Sequence, residues 1–482
     1  MNRNRHHQGG FTIVELLVAS TVGLLLVMGV IEAFRQITTA VTRGRANVQL
    51  SVQLRNATNL LRQDFQGITV PAIPNTSTDS GAGYFEIIEG QDNDLITSAT
   101  DTLSGDTDDV IMFTSRRLGE PFSGRVVGGL VASARPSGYE TITSPNAEII
   151  YWLEPRNTEF LRDGADNDGN GNTDEPAEGY LAPLQHNGMP LATLRRRALL
   201  IRPDLNNNLG VIPGYTAAQI GQFLNDNDIS VRVNLNNDTI SANSLSDLTL
   251  RQNRIAHVPS ADMINTNIDL NFPFAFEPSR LPFQSGIFMG EDVVFDQVIS
   301  FDIRVYDPLA KVVQDITGSE PLVPGDPGYE TQAHTAIIGR GAYIDLGFAS
   351  RLTNLAPAVR NQLGSLLSQK ADSRAQLNGF TPPLYPVGSG YFTFGNCSVY
   401  DTWTIEYERD GLDQDRDGIV DEGMDGFDNN PLLNAGVDDT SEREAPPPYP
   451  PPLRGFQVIV RAFQNGQQQT RQFTINHDFT PE

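Results

Sequence analysis

Two short stretches gather oxygen ligands at alternate residues. One is Asp-Gly-Ala-Asp-Asn-Asp-Gly-Asn-Gly-Asn-Thr-Asp-Glu at 163–175, and the other is Asp-Gly-Leu-Asp-Gln-Asp-Arg-Asp-Gly-Ile-Val-Asp-Glu at 410–422. They align without a gap. Counted from Asp166 and Asp413, each has oxygen side chains at positions 1, 3, 5 and 9 and a glycine at position 6. Hard oxygens on alternate residues, with glycine for the sharp turn, let a short loop wrap a large hard cation, and calcium is the expected ion. The expected ligands are Asp166, Asp168, Asn170, Asp174 and Glu178, and then Asp413, Asp415, Asp417, Asp421 and Asp425, with the carbonyls of Asn172 and Ile419. Position 12, where an EF-hand needs a bidentate glutamate, is Ala177 or Met424, and the acid comes one residue later. The flanks do not read as helix pairs, so these are expected to be loops between strands. Residues 163–178 hold six acids and no base, and 410–428 hold eight acids and one arginine, within a chain of net charge −25. So much like charge in two short loops calls for a counter-ion.

One more carboxylate stands where carboxylates are costly. Residues 11–34 form an almost unbroken apolar run of 24, about 36 Å of helix, and Glu15 lies inside it. An acidic residue at a bilayer centre costs about 2.5–3.5 kcal/mol, less near the end, so Glu15 needs a partner. A secretory signal would place small residues after its apolar core. Here Gly9 and Gly10 come before it, so cleavage leaves the apolar helix on the mature chain.

The sequence Gly10-Phe-Thr-Ile-Val-Glu-Leu-Leu-Val-Ala resembles the class III signal of type IV pilins and pseudopilins. The resemblance implies that prepilin peptidase cleaves after Gly10 and methylates Phe11, and that an inner-membrane platform assembles the subunit with other pilins. It also implies a partner for Glu15, the α-amine of a neighbouring subunit's first residue, which exists only after cleavage. That pair would set the axial register of a filament.

The elements that must position these groups follow from the pattern. No proline occurs before Pro71, and Leu50, Leu54, Ala57, Leu61 and Phe65 recur at three- and four-residue spacing, so the helix is expected to continue to about residue 67 as an amphipathic spine. Beyond it, stretches 109–114, 148–153, 194–202, 301–305, 403–407, 456–463 and 471–477 alternate or cluster like strands, the last two as a terminal hairpin. The expected fold class is α+β: a long N-terminal helix packed on antiparallel sheet, with large loop insertions. The domain plan is a leader at 1–10, a membrane or filament-core helix at 11–34, its amphipathic continuation at 35–67, and a β-rich extracytoplasmic domain at 68–482. An asparagine-rich stretch at about 204–291 reads as an insertion, and the proline run at 446–452 as an extended spacer leading into the last hairpin. Stretches 148–154, 195–202, 298–306 and 453–461 loosely resemble the strand order of PilW-type minor pilins and J-type pseudopilins.

Composition narrows the function. The negative charge repels nucleic acid and anionic membrane surfaces. The single cysteine, Cys397, permits no intramolecular disulfide, so calcium is the expected staple for the loops. No P-loop, Gly-x-Ser-x-Gly, His-Glu-x-x-His or Cys-x-x-Cys occurs, and an enzyme is not expected. The expected role is a minor pilin or pseudopilin that primes or joins filament assembly. Such a subunit sits in the inner membrane before assembly and in a periplasmic or cell-surface filament afterwards. A filament-displayed adhesin and a type II secretion pseudopilus subunit are the alternatives.

Overall fold

The absence of proline and the apolar stripe produce one continuous helix, α1 (Ile13–Gln66). The computed structural model describes residues 12–90, 109–128, 138–155, 189–234, 237–257, 293–314, 321–326, 337–351, 398–409, 447–464 and 469–479, together with 130, 185–186, 329, 365, 367–368, 411, 420 and 421. From Ile13 to Val41, and again at Val48, the apolar side chains of α1 stand exposed, Ile13 at 85% and Val48 at 65%. From Leu50 the predicted stripe turns inward: Leu50, Ala57, Leu61 and Phe65 are buried and Leu54 packs beside them.

The sheet that receives this stripe is built from β1 (Phe85–Glu89), β2 (Val110–Arg116), β3 (Phe122–Val127), β4 (Tyr139–Ser144), β5 (Asn146–Pro155), β6 (Gln185–His186), β7 (Met189–Pro190), β8 (Ala192–Leu200), β9 (Val231–Asn234), β10 (Thr239–Ala242), β11 (Val293–Gln314), β12 (Pro321–Leu322), β13 (Ile337–Ile344), β14 (Ser398–Asp401), β15 (Gly455–Gln464) and β16 (Gln469–Asp478). Ten of these form one sheet, in the order β14-β1-β2-β5-β8-β11-β15-β16, with β12 and β13 joined to the far end of β11. Hairpins β3–β4, β6–β7 and β9–β10 lie outside it. Every pairing between these strands is antiparallel.

Strand alternation sends neighbouring arginines of β8 to opposite faces of the sheet. Arg196 turns toward α1 and meets Asp64, a helix residue with no exposed surface, through Nε at 2.6 Å and Nη2 at 3.2 Å. Arg117 Nη2 donates to the same carboxylate at 2.6 Å, and the Tyr151 hydroxyl does so at 2.6 Å. Burial, reinforced by that carboxylate, pushes the Tyr151 phenol well above its ordinary pKa, so it stays a donor. One residue on, Arg197 faces the other side and pairs with Asp228 at 3.1 Å. Phe65, next to Asp64, sits among Phe113, Tyr151 and Phe456 at ring-centroid distances of 5.5, 6.2 and 5.0 Å.

The face away from α1 is covered by residues 203–257: three-residue helical turns, α2 (Ile220–Asp226) and the β9–β10 hairpin. Ile220, Phe223, Leu224, Ile240, Leu248 and Ile255 extend the common core into this cover. Charge fixes its register. Glu86 on β1 lies directly opposite Asp401 on β14, an unfavourable like-charge pair. Arg254 of the cover bridges them, at 2.8 Å to Glu86 and 2.6 Å to Asp401, and Arg251 adds a 2.7 Å pair to Glu86. Although burial would raise the Glu86 carboxyl, Arg251, His257 and Arg254 hold it well below the usual range. Glu148 on β5 accepts from Ser230 at 2.6 Å and from the Ile255 amide at 2.9 Å.

Two expectations are corrected. Residues 405–408 form a helical turn, not a strand: Thr404 Oγ1 accepts from the Glu406 amide and ends the ladder after Asp401. Residues 447–449 of the proline run are buried, not a free spacer, and Tyr449 stacks on Tyr400 at 6.5 Å. Cys397 lies outside the described residues.

Two measurements check these layers. Asp64→Ala strands two guanidinium groups and a phenol in the interior, and is expected to destabilise the domain by about 3–5 kcal/mol in chemical denaturation. Burial lowers the His257 imidazole to about 4, from an ordinary value of 6.5. The unfolded chain therefore takes up that proton first. The contribution is complete above pH 6.5 and is lost as pH falls toward 4. The stability gap between the wild type and His257→Gln should shrink over that window, and a gap that ignores pH would refute the assignment.

Candidate assembly site

Of the functional residues expected at the N-terminus, the structure describes Glu15, on the bare half of α1. Thr12 is its N-cap, and Thr-x-x-Glu is the spacing of a capping box. Glu15 Oε2 accepts from the Thr12 amide at 2.9 Å and from the Thr12 hydroxyl at 3.0 Å, while the Glu15 amide donates back to Thr12 Oγ1 at 3.3 Å. The carboxylate therefore answers the first turn's unpaired donors and the positive end of the helix dipole. Gly10 and Phe11 lie outside the described residues. Sequence reading singled out Glu15 but missed Thr12, although the three-residue spacing was there to be read.

From Ile13 to Thr42 the helix is long and apolar enough to cross a membrane, and none of its most apolar stretch is covered by the rest of the chain. The polar exceptions beyond Glu15 include Glu32, Arg35 and Gln36. Gln36 Nε2 donates to Glu32 Oε1 at 3.3 Å, and Arg35 lies 3.8 Å from Glu32.

Of the expected cation ligands, the structure describes only Asp421. Asp166, Asp168, Asn170, Asn172, Asp174 and Glu178 lie outside the described residues, as do Asp413, Asp415, Asp417, Ile419 and Asp425. Asp421 adopts a left-handed backbone (φ 54°), and its two carboxylate oxygens accept from the Gly411 amide at 3.1 and 2.9 Å. This contact closes the ends of the second acidic stretch, with Gly411 also left-handed at φ 77°. Among the described residues no cluster of three His, Cys, Asp or Glu could hold a metal ion.

Residues 5–31 match the family model of the prokaryotic N-terminal methylation motif, the class III signal of type IV pilins. Such a signal implies processing by prepilin peptidase and pilin assembly in general. No curated protein and no solved structure matches the chain.

The capping box yields its own test. Thr12→Val removes the hydroxyl and should cost about 1 kcal/mol at the helix start. In detergent-solubilised protein, backbone amide exchange at residues 13–16 should accelerate several-fold while residues 55–66 stay unchanged. Equal exchange in both proteins would mean that the cap carries no load.

Proposed function

We propose that this chain is a minor pilin or pseudopilin, a structural subunit that primes or joins a type IV pilus-like filament near its tip. The observation that carries the reading is the methylation-type signal leading into a helix bare for its first half and packed against its own sheet for the second. Before assembly the bare half is solvated by the inner membrane. Afterwards it is solvated by the helices of other subunits, and cleavage at Gly10 supplies the amine that Glu15 accepts. Bulk favours a minor subunit, since residues 68–482 would crowd a regular helical array. The resemblance to PilW-type and J-type proteins belongs to the same reading. Deleting the gene should abolish or shorten surface filaments if the assembly is a pilus, or strand secreted enzymes in the periplasm if it is a secretion pseudopilus. Normal filaments together with a normal secretome would sink the priming role.

The same reading assigns calcium to the two acidic loops as a structural staple in a chain that has no cysteine pair. The closure of 411–421 through Asp421 supports it for the second loop. Saturation at 100 times Kd would stabilise each site by about 2.7 kcal/mol. Chelation should therefore lower the melting temperature of the purified protein, and Asp413→Asn with Asp421→Asn should remove much of that response. A melting curve indifferent to chelator would reject the assignment.

An adhesin is the second reading. It is favoured by the extra layer of residues 203–257 on the sheet face that α1 does not use. Loss of cell attachment with filaments intact, when exposed residues of that layer such as Leu209 are substituted and the sheet-bridging Arg251 and Arg254 are kept, would support it.

A further inference from the structure

Charge is unevenly shared between α1 and the rest of the chain. The whole sequence holds 59 acids against 34 lysines and arginines. From residue 33 to the end of α1 at Gln66 the balance reverses, with five arginines (Arg35, Arg43, Arg45, Arg55 and Arg62) and one acid, Asp64. Asp64 is buried and already held by Arg117 and Arg196, so it does not answer the arginines outside. Past Thr42, where the membrane-length apolar stretch ends, Arg45, Val48, Val52, Arg55 and Arg62 are all exposed, the two valines at 65% and 52%. Their spacing puts them on one side of the helix, roughly 160° round from the stripe of Leu50, Leu54, Ala57 and Leu61 that packs on the sheet. The fork of Arg196 on Asp64 fixes the helix azimuth, so this seam faces away from the domain. None of the described residues pairs with Arg45, Arg55 or Arg62.

Resting on the pilin-like reading above, we propose that this seam is the docking surface for a different pilin-like subunit. The spine helix of that partner runs along α1, covers Val48 and Val52 with apolar side chains, and presents carboxylates to Arg45, Arg55 and Arg62.

The seam itself selects this occupant. Along a straight helix Val48 lies about 9 Å past Thr42 and Arg62 about 30 Å past it, beyond the reach of lipid tails and headgroups. A second copy packed helix to helix would set arginine against arginine, and its bulk would keep it from α1. What fits is a surface apolar in the middle and anionic at both ends. Leu24, Val27 and Ile31 of the bare half stand three heptads before Arg45, Val48 and Val52, so a helix that supercoils left-handedly along one set continues onto the other. Guanidinium forks match carboxylates in shape, and charged pairs flanking an apolar contact set partner choice and register more than affinity. The acidic remainder of the chain repels the same carboxylates, which confines the partner to this helix.

The test is site-specific photocrosslinking in cells that make the filament. The full-length chain carries a benzophenone side chain in place of Val48 on the seam, of Gln53 on another exposed face, or of Leu24 on the bare half. Irradiation should join position 48 to a second protein with its own methylation-type signal, at least several-fold more than position 53. Mass spectrometry should place the bond in that protein's N-terminal helix, within two turns of an aspartate or glutamate. Arg55→Glu with Arg62→Glu should cut the adduct several-fold, and Arg55→Lys with Arg62→Lys should keep most of it. Both variants should melt at the wild-type temperature, so that loss of the adduct is not loss of the fold. An adduct with a copy of this chain, with a protein lacking such a signal, with lipid or with nothing overturns the proposal, as does one indifferent to charge reversal. If position 24 still joins helices of other subunits in that case, the pilin-like reading stands. If position 24 captures none, that reading falls as well.

Discussion

A single buried carboxylate fixes how this molecule can present its helix. Asp64 has no exposed surface and is satisfied by two arginines and a tyrosine from three different parts of the sheet edge and interior. A lone ion there would be prohibitive to bury, but each charge-assisted bond returns about 1.5–3 kcal/mol when geometry is good. Apolar packing of Leu61 and Phe65 alone would tolerate some rotation about the helix axis. The bidentate fork of Arg196 does not, because its two nitrogens meet both oxygens of one carboxylate. Since α1 runs without a proline from Ile13 to Gln66, fixing its azimuth at Asp64 sets the direction in which Glu15, Glu32 and Gln36 face.

The opposite face of the sheet obeys similar physics with the opposite layout. The sheet contributes Glu86, Asp401 and Glu148, and the cover contributes Arg251 and Arg254. Two carboxylates opposite each other on neighbouring strands repel, so β14 can sit beside β1 only once Arg254 lies between them. Asp401 shows the residual tension: burial, opposed by Arg254, pushes its carboxyl up to about 6. The stretch that reads as an asparagine-rich insertion is thus, in its first part, a structural layer whose cations the sheet requires. Trp403 and Tyr407, 4.5 Å apart, close the end of this layer, and the Tyr407 hydroxyl accepts from the Arg251 amide.

What could be read from the sequence was local and periodic. The 3.6-residue stripe marked the buried side of α1 from Leu50 to Phe65, and strand-like patterning marked β2, β5, β8, β15 and β16 within a few residues, but only the middle of β11, which runs well past 301–305 at both ends. The turn at 405–408 was misread because Trp403, Ile405 and Tyr407 alternate, while the decisive event is a hydroxyl cap at Thr404 that periodicity does not register. Asp64, Glu86, Arg254 and Asp401 were not legible for a different reason. Their partners lie tens to hundreds of residues away, and a charged residue inside an apolar stripe looks the same whether it is buried and paired or turned to solvent. Of the assembly site, Glu15 was legible from its position in the signal. Its cap, Thr12, was overlooked, because a capping box is read from one three-residue spacing and not from periodicity.

The bare half of α1 decides what kind of life the protein leads. Its exposed leucines, valines and isoleucines would each cost about 1.5–3 kcal/mol in water relative to a buried state, so this segment must always be in lipid or among other helices. Moving from one apolar surrounding to the other gains almost nothing from the hydrophobic effect, since lipid tails are as apolar as leucine. Any preference for one neighbouring helix, and for one axial offset against it, must therefore come from close packing and from the few polar groups on that surface. Both carboxylates on the bare half already have a partner within the helix, Glu15 in Thr12 and Glu32 in Gln36, so neither enters an apolar surrounding as a lone charge.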